Sequence, residues 1–341
     1  MTRQNTPPSP GPAVEHGAWA GSFKYPDTTG LVHLPVSGFP LNCFREKRWC
    51  YAGIIHPDII FGCAVVHLGY LTSAFCFGFD RNKRQMLEHT VVWPPLGQVR
   101  FDRNPENGTC RFKGPGKLLE ISSGPGPGIK KIQADFTFSG QRIQADMDIL
   151  PPASGIDSMH FFMPMDADAH AFTTKIAGLR AKGQILLNGT AHTLTPDDSH
   201  VLFDWTHGTY PRQTFWNWAC GAGISREGSP LGFNFSAGVY ENKLLENVVW
   251  IKGVPEPVGR VDFAYDAANP KTPWTIKSRD GRINLLFTPE GMRKANDNFW
   301  IIKSRFIQPC GRFSGSIESR TGDRIVLDEV GGVTEEHFAK W

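Results

Sequence analysis

The 341-residue sequence has almost no excess of either charge: 36 Lys and Arg stand against 33 Asp and Glu, a formal net charge of +3 with histidine neutral. Nucleic-acid binding carried by bulk positive charge is therefore not expected, and 40% hydrophobic against 20% charged residues argues against a disordered chain. Long apolar runs are missing as well. The most apolar stretch, Ile54 to Phe79, is broken by His56, Pro57, Asp58, His67 and several glycines, so it falls short of the roughly 18 apolar residues of a membrane span. Met1 to Pro12 lacks the apolar centre of a secretory signal and reads as a disordered polar tail. Cys43, Cys50, Cys63, Cys76, Cys110, Cys220 and Cys310 are odd in number, scattered and without a Cys-x-x-Cys pair. That spacing suggests neither a zinc knuckle nor a disulfide framework, and a cytoplasmic protein with reduced thiols is the expectation. There is no G-x-S-x-G and no H-E-x-x-H, and the glycine-rich Gly114-Pro-Gly-Lys117 and Gly124-Pro-Gly-Pro-Gly128 carry prolines where a phosphate cradle needs backbone donors.

What is present points to β-structure. Glycine (36), proline (26), phenylalanine (24) and tryptophan (10) are plentiful, while Ala/Glu/Lys/Leu runs are absent. Three short blocks recur in the same order. Ala52-Gly53-Ile54 after Trp49 matches Ala222-Gly223-Ile224 after Trp218; Leu87-Glu88-His89-Thr90-Val91-Val92-Trp93 matches Leu245-Glu246-Asn247-Val248-Val249-Trp250; Gly97-Gln-Val-Arg-Phe101 matches Gly259-Arg-Val-Asp-Phe263. Alternating apolar and polar residues on either side of Gly140, and again on either side of Asp280-Gly281, predict hairpins. Helix is expected only as a turn or two near Asp166 to Leu179 and at Thr334 to Trp341. The fold class that follows is all-β with little helix: two lipocalin-like antiparallel β-barrels from an internal duplication, with a tail at 1–19 and domains at 20–165 and 166–341. Two solid sandwiches would fit the same strands.

The densest polar and aromatic cluster is Phe203-Asp204-Trp205-Thr206-His207-Gly208-Thr-Tyr210-Pro-Arg212-Gln-Thr-Phe-Trp216-Asn217-Trp218. If 216–218 is strand, Trp216 and Trp218 share a wall, and if Asp204 to His207 forms the approach or a turn, both reach the same cavity. A carboxyl beside indoles loses hydration and becomes a proton donor near neutral pH, whereas Arg212 nearby would oppose that shift. Asp204 and His207 are thus candidate catalytic residues, and Trp205, Tyr210, Arg212, Trp216 and Trp218 candidate substrate contacts. An Asp204–Arg212 salt bridge with core tryptophans explains the same residues structurally. In the first half, Arg48 and Trp49 could clamp a head group, although a basic run beside aromatics is also an ordinary solvated turn. Glu88 and Glu246, at matching repeat positions, are candidate inward carboxylates. Asp166, Asp168 and His170, with Asp197, Asp198 and His200, are metal-ligand types without a calcium-loop pattern, and a solvated loop is expected there.

Phe203-Asp204-Trp205-Thr206-His207-Gly208, Lys47-Arg48-Trp49-Cys50-Tyr51, Gln308-Pro309-Cys310-Gly311-Arg312-Phe313-Ser314-Gly315 and the terminal Thr334 to Trp341 together resemble the bacterial domain-of-unknown-function family 2804. That family is distantly similar to carotenoid 1,2-hydratases and other double-lipocalin proteins, including cyclases of large apolar substrates. The resemblance implies two lipocalin-like barrels, and Asp204, His207, Trp216 and Trp218 match the hydratase-like site by residue type. The expected activity is a cofactor-independent isomerase, hydratase or cyclase working on an apolar isoprenoid or lipid, with a non-catalytic lipid carrier as the alternative. The expected partner is an apolar small molecule, with neither nucleic acid nor a membrane span and room only for transient membrane contact.

Overall fold

The computed structural model describes residues 17–21, 45–93, 98–102, 104–124, 128–166, 169–239, 244–299 and 302–340, and every regular element among them is a β-strand. In chain order these are β1 (Gly17–Ala20), β2 (Glu46–Ile55), β3 (Ile59–His67), β4 (Thr72–Asp80), β5 (Gln85–Trp93), β6 (Val99–Phe101), β7 (Thr109–Gly114) and β8 (Lys117–Ser123). Next come β9 (Ile129–Phe138), β10 (Gln141–Leu150), β11 (Met159–Asp166), β12 (Ala169–Leu187), β13 (Thr190–Leu194) and β14 (His200–Thr209). The chain continues through β15 (Gln213–Ile224), β16 (Pro230–Ala237), β17 (Val248–Ile251), β18 (Val254–Pro257), β19 (Val261–Ala264), β20 (Trp274–Ser278), β21 (Ile283–Phe299), β22 (Ile302–Glu318) and β23 (Arg324–Lys340).

Period-two patterning sets most of these strands. In β10, Ile143, Ala145, Met147 and Ile149 are buried while Gln144, Asp146 and Asp148 turn outward. The turn from β9 to β10 places Ser139 and Gly140 at positive φ, the geometry of a two-residue hairpin, and Asp280-Gly281 joins β20 to β21 as expected.

The strands form two curled antiparallel sheets. One has fourteen strands, with the path β5-β4-β3-β2-β14-β12-β10-β9-β8-β7-β6 and with β1, β11 and β13 attached beside β12. The other has nine, in the order β18-β17-β16-β15-β23-β22-β21-β20-β19. The plan repeats: β2 pairs with β14 mid-sheet, and β15 pairs with β23 in the same way. The recurring blocks follow it, since Ala52-Gly53-Ile54 and Ala222-Gly223-Ile224 lie in β2 and β15, and the third pair ends in β6 and β19, the far edges of the two sheets. The second pair is one strand out of step, in β5 and around β17, which accounts for its unequal spacing in the sequence.

Each sheet curls over its own apolar filling. Phe101 of β6 meets Trp205 of β14 at 5.8 Å in the first, and Phe233 of β16 meets Phe313 of β22 at 4.8 Å in the second. The opposite faces pack against each other, so the middle strands β2, β14 and β15 are buried on both sides. Close approach there requires glycine: a Cβ on Gly232 of β16 would lie 2.1 Å from the Ala177 carbonyl oxygen of β12.

Three sequence expectations are corrected. The helix at Thr334 to Trp341 is strand as far as Lys340, held between β15 and β22. The helical turns near Asp166 to Leu179 belong to β11 and β12. The chain changes sheets between Thr209 and Gln213, not at 165/166, because β12 and β14 are needed to complete the first sheet; and Gly17–Ala20, placed largely in the tail, pairs with β11.

Candidate active site between the two sheets

Strand register decides which side chains meet. Asp204 of β14 stands opposite Lys175 of β12 on one side and Tyr51 of β2 on the other, so the three form a row facing the second sheet. On that second sheet Trp216 and Trp218 share the facing side, Trp218 lies opposite Glu335 of β23, and Gln308 of β22 lies opposite Arg293 of β21. The two faces meet through aromatic pairs. Trp49 and Trp216 stack with centroids 6.3 Å apart, and Tyr51 meets Trp218 edge-on at 5.5 Å.

In the depth of this interface, Lys175 Nζ lies 2.5 Å from Asp204 Oδ2 and 3.4 Å from Glu246 Oε2, all three side chains being buried. Burial disfavours the Lys175 charge, but the Asp204 and Glu246 carboxylates outweigh it and hold the lysine above its ordinary range. Burial pushes the Glu246 carboxyl up; Lys175 opposes that and the Asp204 charge adds to it. Trp218 Nε1 donates to Asn234 Oδ1 at 2.8 Å, and Asn234 Nδ2 donates to the Glu246 carbonyl, which fixes this indole beside the carboxyls.

On the second sheet's side of this face, Glu335 accepts from Trp216 Nε1 at 2.8 Å and from Gln308 Nε2 at 2.9 Å. Burial pushes its carboxyl up to about 7 against these donors and against the more distant Arg293. Arg293 is itself buried, donates to Glu88 Oε1 at 3.0 Å and to Gln308 Oε1 at 3.1 Å, and lies 3.9 Å from the Phe75 ring centroid. It joins the sheets while leaving Glu335 without a direct bond to it among those contacts. The Tyr51 hydroxyl is buried with no hydrogen-bond partner, and burial pushes it well above its ordinary range. The face thus combines carboxyls able to hold or accept protons with two indoles, in a setting removed from bulk water.

The anticipated residues divide between two places. Asp204, Trp216, Trp218 and Glu246 come together on the inter-sheet face, with Trp49 and the buried Tyr210, 5.3 Å from Trp49, towards its rim. Asp204 and His207 do not share a cavity: 204–207 is continuous strand, and an odd separation sends the two side chains to opposite faces. His207 and Arg48 lie on the first sheet's inner side, where His207 Nε2 is 2.7 Å and Arg48 Nη2 2.5 Å from Glu46 Oε1, and Trp205 points the same way. Arg212 is exposed, with its charge felt by Tyr70, and it forms no bridge to Asp204. His170 stacks on Phe162; Asp168 lies outside the described residues, and no metal-binding group of three or more His, Cys, Asp or Glu is found among those described. No helix among the described residues is long and apolar enough to cross a membrane. Lys175, Glu335, Gln308 and Arg293 were not anticipated, since each becomes notable only through a partner on another strand.

The Glu46 group predicts a pH effect. Burial pushes this carboxyl up, but the His207 hydrogen bond and the Arg48 guanidinium prevail and hold it at about 2. A depressed carboxyl stabilises above its unfolded value near 4.5 and loses that contribution as pH falls through the folded value. Glu46→Gln is therefore expected to be less stable than wild type at pH 7, by on the order of 3 kcal/mol, and the gap should close between pH 4.5 and 2 in urea titrations. A gap that persists at pH 2 would contradict the assignment.

Fold and site define a protein of two lipocalin-like antiparallel sheets, packed back to back around a buried polar and aromatic face. The chain belongs to the family described as Domain of unknown function (DUF2804), which matches residues 29–341. Among solved structures it is similar to CghA with Sch210972, at 10% identity and a TM-score of 0.55, covering 98% of this chain and 96% of that one. Kievitone hydratase from Nectria haematococca aligns at 12% identity and a TM-score of 0.45, over 91% of this chain and 94% of that one. No protein of curated function matches the sequence.

Proposed function

We propose that this protein is a cofactor-independent enzyme of the isomerase, hydratase or cyclase type, acting on an apolar isoprenoid or lipid by carboxyl-initiated proton transfer between its two sheets. The observation that carries the reading is the convergence of Asp204, Glu246 and Glu335 with Trp216 and Trp218 on one buried face. A proton delivered to a double bond creates a carbocation, which the negative faces of the indoles stabilise by about 2 kcal/mol each when desolvated. Rate enhancement by an enzyme asks for at least about 8 kcal/mol, so fixed charges and exclusion of water must contribute the larger share. In this reading Asp204 accepts a proton from the cation or from a captured water, and its ion pair with Lys175 supports that role.

The test is incubation with geranylgeraniol in D2O, followed by mass spectrometry. Wild type and Asp197→Asn are expected to introduce deuterium, and Asp204→Asn to do so at least about 100-fold more slowly. Geranylgeraniol held tightly but unchanged by wild type and Asp204→Asn alike would replace the enzyme with a lipid carrier.

A further inference from the structure

We infer that Glu335 is the proton donor of this site and Asp204 its proton acceptor, and that the substrate is an unsaturated hydrocarbon chain whose double bond lies along the Trp216–Trp218 wall. The inference rests on the function proposed above. The acceptor is assigned to Asp204 on its geometry: its Oδ2 lies 2.5 Å from the Lys175 ammonium, which also lies 3.4 Å from Glu246 Oε2. Glu335 is different, because its two oxygens are bonded by an indole N–H and an amide N–H, both neutral. The charges around it do not supply a direct counter-ion: Arg293 donates instead to Gln308 and Glu88, and Asp204 adds negative charge. His337 Nδ1 is 3.8 Å from Glu335 Oε1, but burial lowers that imidazole to about 3, so it is neutral at pH 7. Tyr51, held well above its ordinary range by burial, is neutral as well.

Position agrees with this role. Glu335 lies opposite Trp218 and is bonded to Trp216, whose half-buried ring stacks on Trp49, so the carboxyl stands against both indoles of the wall. The chemistry balances without an oxidant or reductant. The Glu335 O–H bond breaks, and the π pair of the alkene forms a new C–H bond, leaving a cation on the neighbouring carbon. A C–H bond on the next carbon then breaks, its electron pair makes the shifted double bond, and its proton passes to Asp204. Exchange with solvent returns both carboxyls to their starting states.

Two readouts on the same proteins test the assignment. Infrared titration across pH 5 to 9 follows the C=O band of a protonated carboxyl, and the geranylgeraniol assay in D2O follows turnover. Wild type and Asp197→Asn should show both the band and incorporation. Glu335→Gln should lose the near-neutral band and slow incorporation at least about 100-fold, while Glu335→Asp recovers part of both. A band that survives Glu335→Gln, or incorporation at the wild-type rate in that variant, overturns the assignment. If wild type incorporates nothing, the reaction class fails and the donor role falls with it, whereas a band lost only in Glu335→Gln would still locate the proton on that residue.

Discussion

Lys175→Met is expected to destabilise the fold by about 3–5 kcal/mol, the usual cost of removing one partner from a buried ion pair. Methionine fills much of the space of the lysine stem but leaves Asp204 and Glu246 facing each other without the ammonium between them. Two like charges in a dry interior repel, so one carboxyl must take up a proton or the sheets must admit water. Guanidinium titrations measure the loss. The double variant Lys175→Met/Asp204→Asn should regain a large part of it, because the orphaned charge is then gone. A single Lys175→Met variant as stable as wild type would show that the ammonium does not hold the carboxyls together.

Gly232→Ala should cost about 3 kcal/mol, at the upper end of ordinary overpacking. The new methyl would sit 2.1 Å from the Ala177 carbonyl oxygen, which is backbone of the other sheet and has no rotamer by which to escape. Relief requires separating β16 from β12, the strand that carries Lys175 two residues before Ala177. The same change should therefore loosen the Lys175–Glu246 contact, giving Gly232→Ala less dependence on Lys175 in a double-mutant cycle. Thermal unfolding of Gly232→Ala within 0.5 kcal/mol of wild type, an ordinary surface-like result, would mean that the sheets do not meet at this point.

Much of the architecture was legible because β-strands advertise themselves locally. Alternation in 142–149, the Asp280-Gly281 turn and the first and third of the repeated blocks survive in the folded chain. The C-terminal misreading has a physical source. In Thr334-Glu-Glu-His-Phe-Ala-Lys, side chains on both faces find partners: Glu335 meets Trp216 and Gln308, while Glu336 meets Tyr265 and Arg305. A strand with polar partners on both faces shows no alternation, and acidic residues near its start imitate a helix N-terminus. The site was half visible for a related reason. Trp216 and Trp218 lie two apart on one strand, so their shared wall follows from the period alone, whereas Lys175 and Asp204 are brought together only by ladder register between distant segments. His207 was misplaced because a turn was assumed where the strand runs on, and a strand carries neighbours an odd number apart to opposite faces.

The way β23 sits in the middle of its sheet has a consequence for biosynthesis. Arg324–Lys340 follows every other strand of its sheet in the chain and is the one that joins β15 to β22, so until it has been synthesised the strands of the second sheet remain two separated ribbons. The first sheet has no such wait, since its joining strand β14 is complete at Thr209. Nascent chains should accordingly fold the amino-terminal sheet while the carboxy-terminal one stays open, with exposed edges that chaperones would have to shield.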